Sequence, residues 1–452
     1  MPNPTSPSPG AVARPDARPG GANVFSSAYG FVITTIGFAV GVGTIWRFPY
    51  MLGENGGSLY LITYIVIIAV ICVPLLAAEM VIGFKGRGSA VNAYRALEPK
   101  GRPWHFAGWL HLATALILIG YITPIFGWIL KYVVATPAGE LKGLDAAGTE
   151  AYFNELVSRP WEVAAFCVAN LAINTLVVAG GVRRGVELLS KILLPLLAVV
   201  MIGLIAFGLT LEGGSQGLTF LLQPDFSKFS LGTVQAALGQ AFFAVGIAML
   251  ASMMFGSYVA NPKEKIARAA TMVCSSLVVA GLLAGFMIFP VLFSAGLEPQ
   301  AGPGLVFMTL PNAFNQIPFG EAFGTIFYIG FYFAALTSMA GVIEACVGMI
   351  MDQFKLSRRW ALAITLAIQN VVAAVAVFAF TPMFDAFDLL CNNYLLPIGA
   401  FVIAVFVGWV WGADKFVEAC NVKSRFSQVF LKLAIKYLCP LAVLAVFVST
   451  LF

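Results

Sequence analysis

Few side chains in this sequence can do chemistry. The two histidines, His105 and His111, have no cysteine or carboxylate at ligand spacing, and no serine or cysteine stands beside a base. Neither a metal centre built on them nor a nucleophilic site is indicated. A GxxxxGK[ST] phosphate loop is also missing, which argues against an ATP-driven pump. Two glycine-rich stretches stand out instead, FAVGVG at 38–43 and FAVGIA at 243–248, each inside a long apolar run. Glycine weakens a helix, and an unwound turn within a bilayer leaves backbone groups unpaired at several kcal/mol each. Such a break persists where something replaces the lost partners. Carbonyl oxygens at a half-helix end suit a small cation, and half-helix amino termini suit a carboxylate.

The elements that must position these breaks are membrane spans. The 452 residues are 60% hydrophobic and only 10% charged, whereas soluble domains carry about a quarter charged residues. Apolar segments long enough to cross a bilayer recur throughout. They predict an all-α polytopic membrane protein with eleven transmembrane helices, at about 25–50, 57–84, 104–135, 161–180, 186–211, 233–259, 266–295, 322–352, 358–380, 387–412 and 427–452. Residues 1–24 are polar and Pro-rich and read as a disordered tail. The seven cysteines lie mostly within or beside the spans and do not suggest a disulfide framework.

Cations cluster in alternate loops: Lys85, Arg87, Arg95, Lys100 and Arg102; Arg183 and Arg184; Lys263, Lys265 and Arg268; Lys355, Arg358 and Arg359; Lys415, Lys423 and Arg425. The positive-inside bias therefore predicts a multi-pass protein of the cell (plasma or inner) membrane, with the amino terminus cytoplasmic and the carboxyl terminus outside. The same cations account for the basic balance, and no nucleic-acid partner is expected. The two broken helices are spans 1 and 6. Five spans separate equivalent points, so the second copy is upside down relative to the first. This is the pattern of an inverted five-plus-five repeat, over 25–212 and 233–412, with 413–452 supplying a loop and the eleventh helix. A paired break near the midplane points to transport of an anionic or zwitterionic solute with a cation.

The first break continues as AVGVGTIWRFPYMLGENGG (39–57), and GQAFFAVG (239–246), ALTSM (335–339) and GADK (412–415) follow in order. In these residues the chain resembles the neurotransmitter:sodium symporter family, in particular its eleven-span bacterial amino-acid transporters. The resemblance implies a sodium site made by backbone carbonyls of Gly37, Val40 and Ala334 and hydroxyls of Thr337 and Ser338. Hard oxygen ligands of this kind suit a hard cation. A second family sodium site matches Thr44, Ala244 and Ser276, and Ala244 offers no side-chain oxygen; one sodium per solute is expected. Chloride is left open: Tyr64 and Gln240 match family ligands, and Ala280 stands where dependent members have serine.

The resemblance further places the substrate among Ala39, Gly41, Val42, Gly43, Tyr121, Phe243, Ala244, Gly246, Met249 and Val342. Tyr121 sits one residue early for the family's third-span tyrosine, about 100° of helix. Arg47 and Asp388 match an extracellular ion pair, with Phe243 as the lid beneath it, and Glu79 matches a buried carboxylate expected to brace the broken first helix. Asp352 matches half of an inner gate, while Ala22 and Phe25 stand where the family has Arg and Trp; Arg18 is a possible replacement. The expected cargo is a neutral, hydrophobic amino acid, carried by a monomer or weak homodimer embedded in the lipid bilayer. Taurine, betaine or another small amine, and proton coupling, remain the alternatives.

Overall fold

The computed structural model describes residues 24–224, 226, 229–297 and 304–449. The predicted tail lies outside these residues except for Val24, as do Arg18 and Ala22. Among the described residues, nine helices are long and apolar enough to cross a membrane, from Ser58–Gly86 to Arg425–Ala445. A bent pair, Ala28–Ala39 and Gly43–Glu54, makes the first span, with 52° between its halves. The segment at 233–259 is no continuous helix: Leu231–Val245 and Ala251–Ser257 flank the second break. Both breaks thus fall at the two glycine-rich stretches. Short helices over Ala90–Leu97, Ala146–Ser158, Gly214–Leu222 and Leu310–Asn315 fill loops where no elements were predicted. Their apolar runs are too short to show a period.

The starts and stops have local causes. Ser27 caps the first helix by accepting the Gly30 N–H at 3.0 Å, and Ser230 with Thr233 forms a capping box on the sixth. The sixth helix stops at Gly246, whose φ of 71° is left-handed. The Phe38 ring occupies the place where a side chain would begin. Gly246→Ala should therefore cost at least the left-handed penalty of about 1–2 kcal/mol. Gly239→Ala is the control, because a Cβ there meets nothing within 4 Å. Thermal unfolding should drop for the first variant and not for the second.

The interrupted helices lie at the centre of the bundle. Helix Ala28–Ala39 packs between the fifth, seventh and eighth spans, and Ala251–Ser257 lies along the second. Gly83 and Gly256 let that last pair touch backbone to backbone. The apolar surface facing outward, such as Leu176 (79% exposed) and Val199 (66%), lies on the fourth and fifth spans and fits a lipid-facing position. All seven cysteines are free and buried.

Candidate functional site

The first break begins after Ala39. Val40 leaves the helix at ψ 76°, and the chain resumes as a π-helical turn over Gly43–Arg47. The Val40 N–H still bonds to Ile36 at 2.7 Å, and the Gly41 N–H turns to Ala39 at 2.9 Å. Among the described residues, the carbonyls of Gly37 and Val40 accept no hydrogen bond. Two acceptors are left open at the end of a half-helix. Gly41 rests against Ser338, where an added Cβ would lie 2.6 Å from Oγ, and Phe38 packs on Gly341. The open end of the first half-helix therefore crosses the eighth span at the level of Thr337 and Ser338. The Thr337 hydroxyl donates to Phe333 and Ala334 carbonyls at 3.1 Å each, which keeps its lone pairs free to accept a cation.

The second break is held by side chains. Past Gly246, Ala248 and Leu250 carry positive φ of 65° and 70°, a costly conformation for residues with a Cβ. Glu79 Oε2 accepts the Ala248 N–H at 3.1 Å. His111 Nδ1 lies 3.3 Å from the Ala248 carbonyl, and its Nε2 is 3.1 Å from the Tyr94 hydroxyl. Glu79 thus braces the sixth span, not the first as expected. The reason is packing: its helix lies against Ala251–Ser257. His111 has a structural role that its isolated position in the sequence did not reveal.

Between the breaks lies a small cavity of about 50 Å³. Nine of the ten predicted substrate residues line it: Ala39, Gly41, Val42, Gly43, Phe243, Ala244, Gly246, Met249 and Val342. Phe38 of the first span, Leu118, Ile119, Ile122 and Phe126 of the third, and Ser338 and Met339 of the eighth complete the wall. Tyr121 is not in this wall. It lines a second chamber above, and its hydroxyl donates to Asp388 at 3.1 Å. The one-residue offset rotates it out of the lower cavity. Met339 was not anticipated; Asn170 and Gln369 amides approach its sulfur at 3.3 and 3.7 Å. A side chain that usually adapts is here tethered.

Phe243 separates the two chambers, lining both. The Arg47 guanidinium sits over its ring at 4.8 Å and donates to the Tyr50 hydroxyl at 3.3 Å. Asp388 accepts from Asn392 at 2.7 Å as well as from Tyr121. The expected Arg47–Asp388 ion pair is not among the contacts within 4 Å. Each charge has found local partners across the chamber, as buried charges must.

At the opposite end, Phe25 packs among Phe31, Phe255 and Tyr258 with centroids 5.6–6.2 Å apart. Its N–H bonds to the Tyr258 carbonyl at 3.3 Å. Asp352 accepts the Ser89 N–H at 2.8 Å and Asn92 Nδ2 at 2.7 Å, with Lys355 at 3.3 Å. The tail arginine proposed as its partner lies outside the described residues. Of the residues matching the second sodium site, Thr44 is buried with its hydroxyl 3.5 Å from the Ala39 carbonyl. Gln240, one chloride match, spends its amide on the Gly43 carbonyl at 2.9 Å.

A membrane bundle whose two interrupted helices meet at a mid-chain cavity has the architecture of a secondary transporter. The model of the sodium:neurotransmitter symporter family matches residues 22–143 and 152–452, and the chain belongs to that family. It is 32% identical to an uncharacterized sodium-dependent transporter, YhdH, of Bacillus subtilis over 94% of this chain and 97% of that one. A second uncharacterized sodium-dependent transporter, from Haemophilus influenzae, is 31% identical over 95% and 98% of the two chains. The crystal structure of MhsT in complex with L-phenylalanine superposes with a TM-score of 0.86 at 34% identity, covering 94% of this chain and 99% of that one. The protein is a multi-pass, sodium-dependent symporter.

Proposed function

We propose that this symporter carries neutral, hydrophobic amino acids, using one sodium ion bound by Gly37, Val40, Ala334, Thr337 and Ser338. The observation that carries the cargo is the wall of the central cavity. Its side chains are apolar except for the Ser338 hydroxyl, so no group there pairs with a charged side chain. Backbone N–H groups of the first break at Val42 and Gly43 would receive the carboxylate, and Met249, Met339 and Val342 the side chain. The L-phenylalanine bound by MhsT is in keeping with this reading. Phe243 would act as lid, with Arg47 and Asp388 drawing together above it when the outer side closes. Asp352 would hold the inner side through Ser89 and Asn92.

Alternating access would then proceed by movement of the two repeats, 25–212 and 233–412, around the fixed site. The amino terminus would lie in the cytoplasm and the carboxyl terminus outside, a reading supported by the positive-inside bias of the basic loops. The test is competition for uptake into sodium-free vesicles placed in sodium buffer, among glycine, alanine, valine, leucine, phenylalanine and tryptophan, against taurine and betaine. Each buried methylene adds about 0.8 kcal/mol, so leucine should outcompete alanine by roughly tenfold or more. Preference for taurine or betaine would overturn the cargo. A sodium Hill coefficient near one should accompany uptake, and a value approaching two would restore a second ion.

A further inference from the structure

On the face that carries the basic loops, a cleft separate from the central site opens between the second, seventh and eleventh spans. It is an open cleft of about 430 Å³. Its mouth is cationic, lined by Lys265, Arg268 and Lys423, and no carboxylate is among its lining residues. None of these three side chains makes an ion pair or hydrogen bond with another described residue. Ser424 and Ser427 add hydroxyls at the same rim. The inner end is apolar and includes Val73, Phe430 and Leu431. Val73 lies midway along Ser58–Gly86, so the cleft runs from the rim toward hydrocarbon depth.

We propose that this cleft binds one anionic phospholipid, with its phosphodiester headgroup among Lys265, Arg268 and Lys423 and acyl chain against Val73, Phe430 and Leu431. Three cations facing one space repel each other unless an anion sits between them, and a mouth of charge over an apolar end matches a lipid better than a free anion. The eleventh span opens at this rim: its first turns, Arg425–Leu433, expose Phe426 (81%), Val429 and Leu433 and keep Lys432 and Gln428 in polar contacts, the mixture of apolar and polar groups found where a span enters the bilayer. The cleft also joins two loops already tied by the Asn421 side chain donating to the Lys263 carbonyl at 3.1 Å. One of those loops follows directly from the second half of the broken sixth helix. A lipid bound there would fasten that half-helix to the eleventh span.

The test uses the full-length protein, purified in neutral detergent, with bound lipid counted by intact-complex mass spectrometry and thermal unfolding followed in parallel. Dioleoylphosphatidylglycerol should be retained as one molecule per chain and should raise the unfolding temperature; dioleoylphosphatidylcholine should do neither. Lys265→Gln, Arg268→Gln and Lys423→Gln combined should weaken phosphatidylglycerol binding by about 100-fold. The charge-keeping set Lys265→Arg, Arg268→Lys and Lys423→Arg should preserve it. Lys100→Gln with Arg102→Gln, exposed on the same face, should leave it unchanged. Equal retention by the glutamine triple variant would overturn the site. Equal loss in the Lys100 and Arg102 variant would reduce the effect to general surface charge and also overturn it. Protection by inorganic phosphate or glycerol phosphate as strong as that by the lipid would overturn the assignment of a lipid.

Discussion

Replacing Thr337 and Ser338 together by alanine is expected to raise the sodium concentration needed for half-maximal solute binding by at least 100-fold. Disturbing even the outer partners of a metal ligand costs roughly 10–100-fold in affinity, and in the proposed site two ligands themselves would be removed. The two hydroxyls stand where the first half-helix ends with the Gly37 and Val40 carbonyls unpaired. Without them, three backbone carbonyls would have to strip a hydrated ion alone. Isothermal sodium titration of the purified protein, with and without leucine, reads the loss directly. Thr337→Ser, which keeps the oxygen, should stay near wild type. If the double alanine variant still binds sodium with unchanged affinity, the ion lies elsewhere in the break.

Glu79→Leu is expected to be the most damaging single change outside the cavity. It removes the acceptor of the Ala248 N–H at a turn already bent into left-handed backbone. An orphaned buried donor costs about 1–3 kcal/mol, and the strained Ala248 and Leu250 would relax, moving Met249 in the cavity wall. Transport should vanish and the unfolding temperature should fall. Glu79→Gln keeps an oxygen in place and should retain folding and much of the transport, because the bond to Ala248 needs an acceptor rather than a charge. A glutamine variant as inactive as leucine, yet normally stable, would show that the proton or charge of Glu79 matters in its own right.

Much of this was legible beforehand because glycine in an apolar run has few explanations. The two repeated stretches marked both breaks, and of the ten cavity positions that the family resemblance named, the eight in or beside the breaks, with Val342 of the eighth span, line the cavity. What escaped was set by contacts far apart in sequence. Glu79 was assigned to the wrong broken helix, since nothing in its own span reveals that Ala251–Ser257 lies alongside. His111 looked isolated because its partners, Tyr94 and the Ala248 carbonyl, belong to other segments. Tyr121 was a matter of phase, where one residue separates the lower cavity from the upper chamber. The pairing of Arg47 with Asp388 came from the family resemblance; in this structure Arg47 donates to Tyr50 and Asp388 accepts from Tyr121 and Asn392.

The burial of all seven cysteines has a practical consequence. Their thiols are shielded within the bundle, so thiol-reactive fluorophores or spin labels should leave the native chain almost unmodified while this arrangement lasts. Single cysteines introduced at exposed loop positions could then be labelled without first deleting the native ones. Cys391 follows closely on Asp388 in the tenth span. If the upper chamber widens during the cycle, that thiol should be the first native one to react, giving a built-in chemical clock for outward opening.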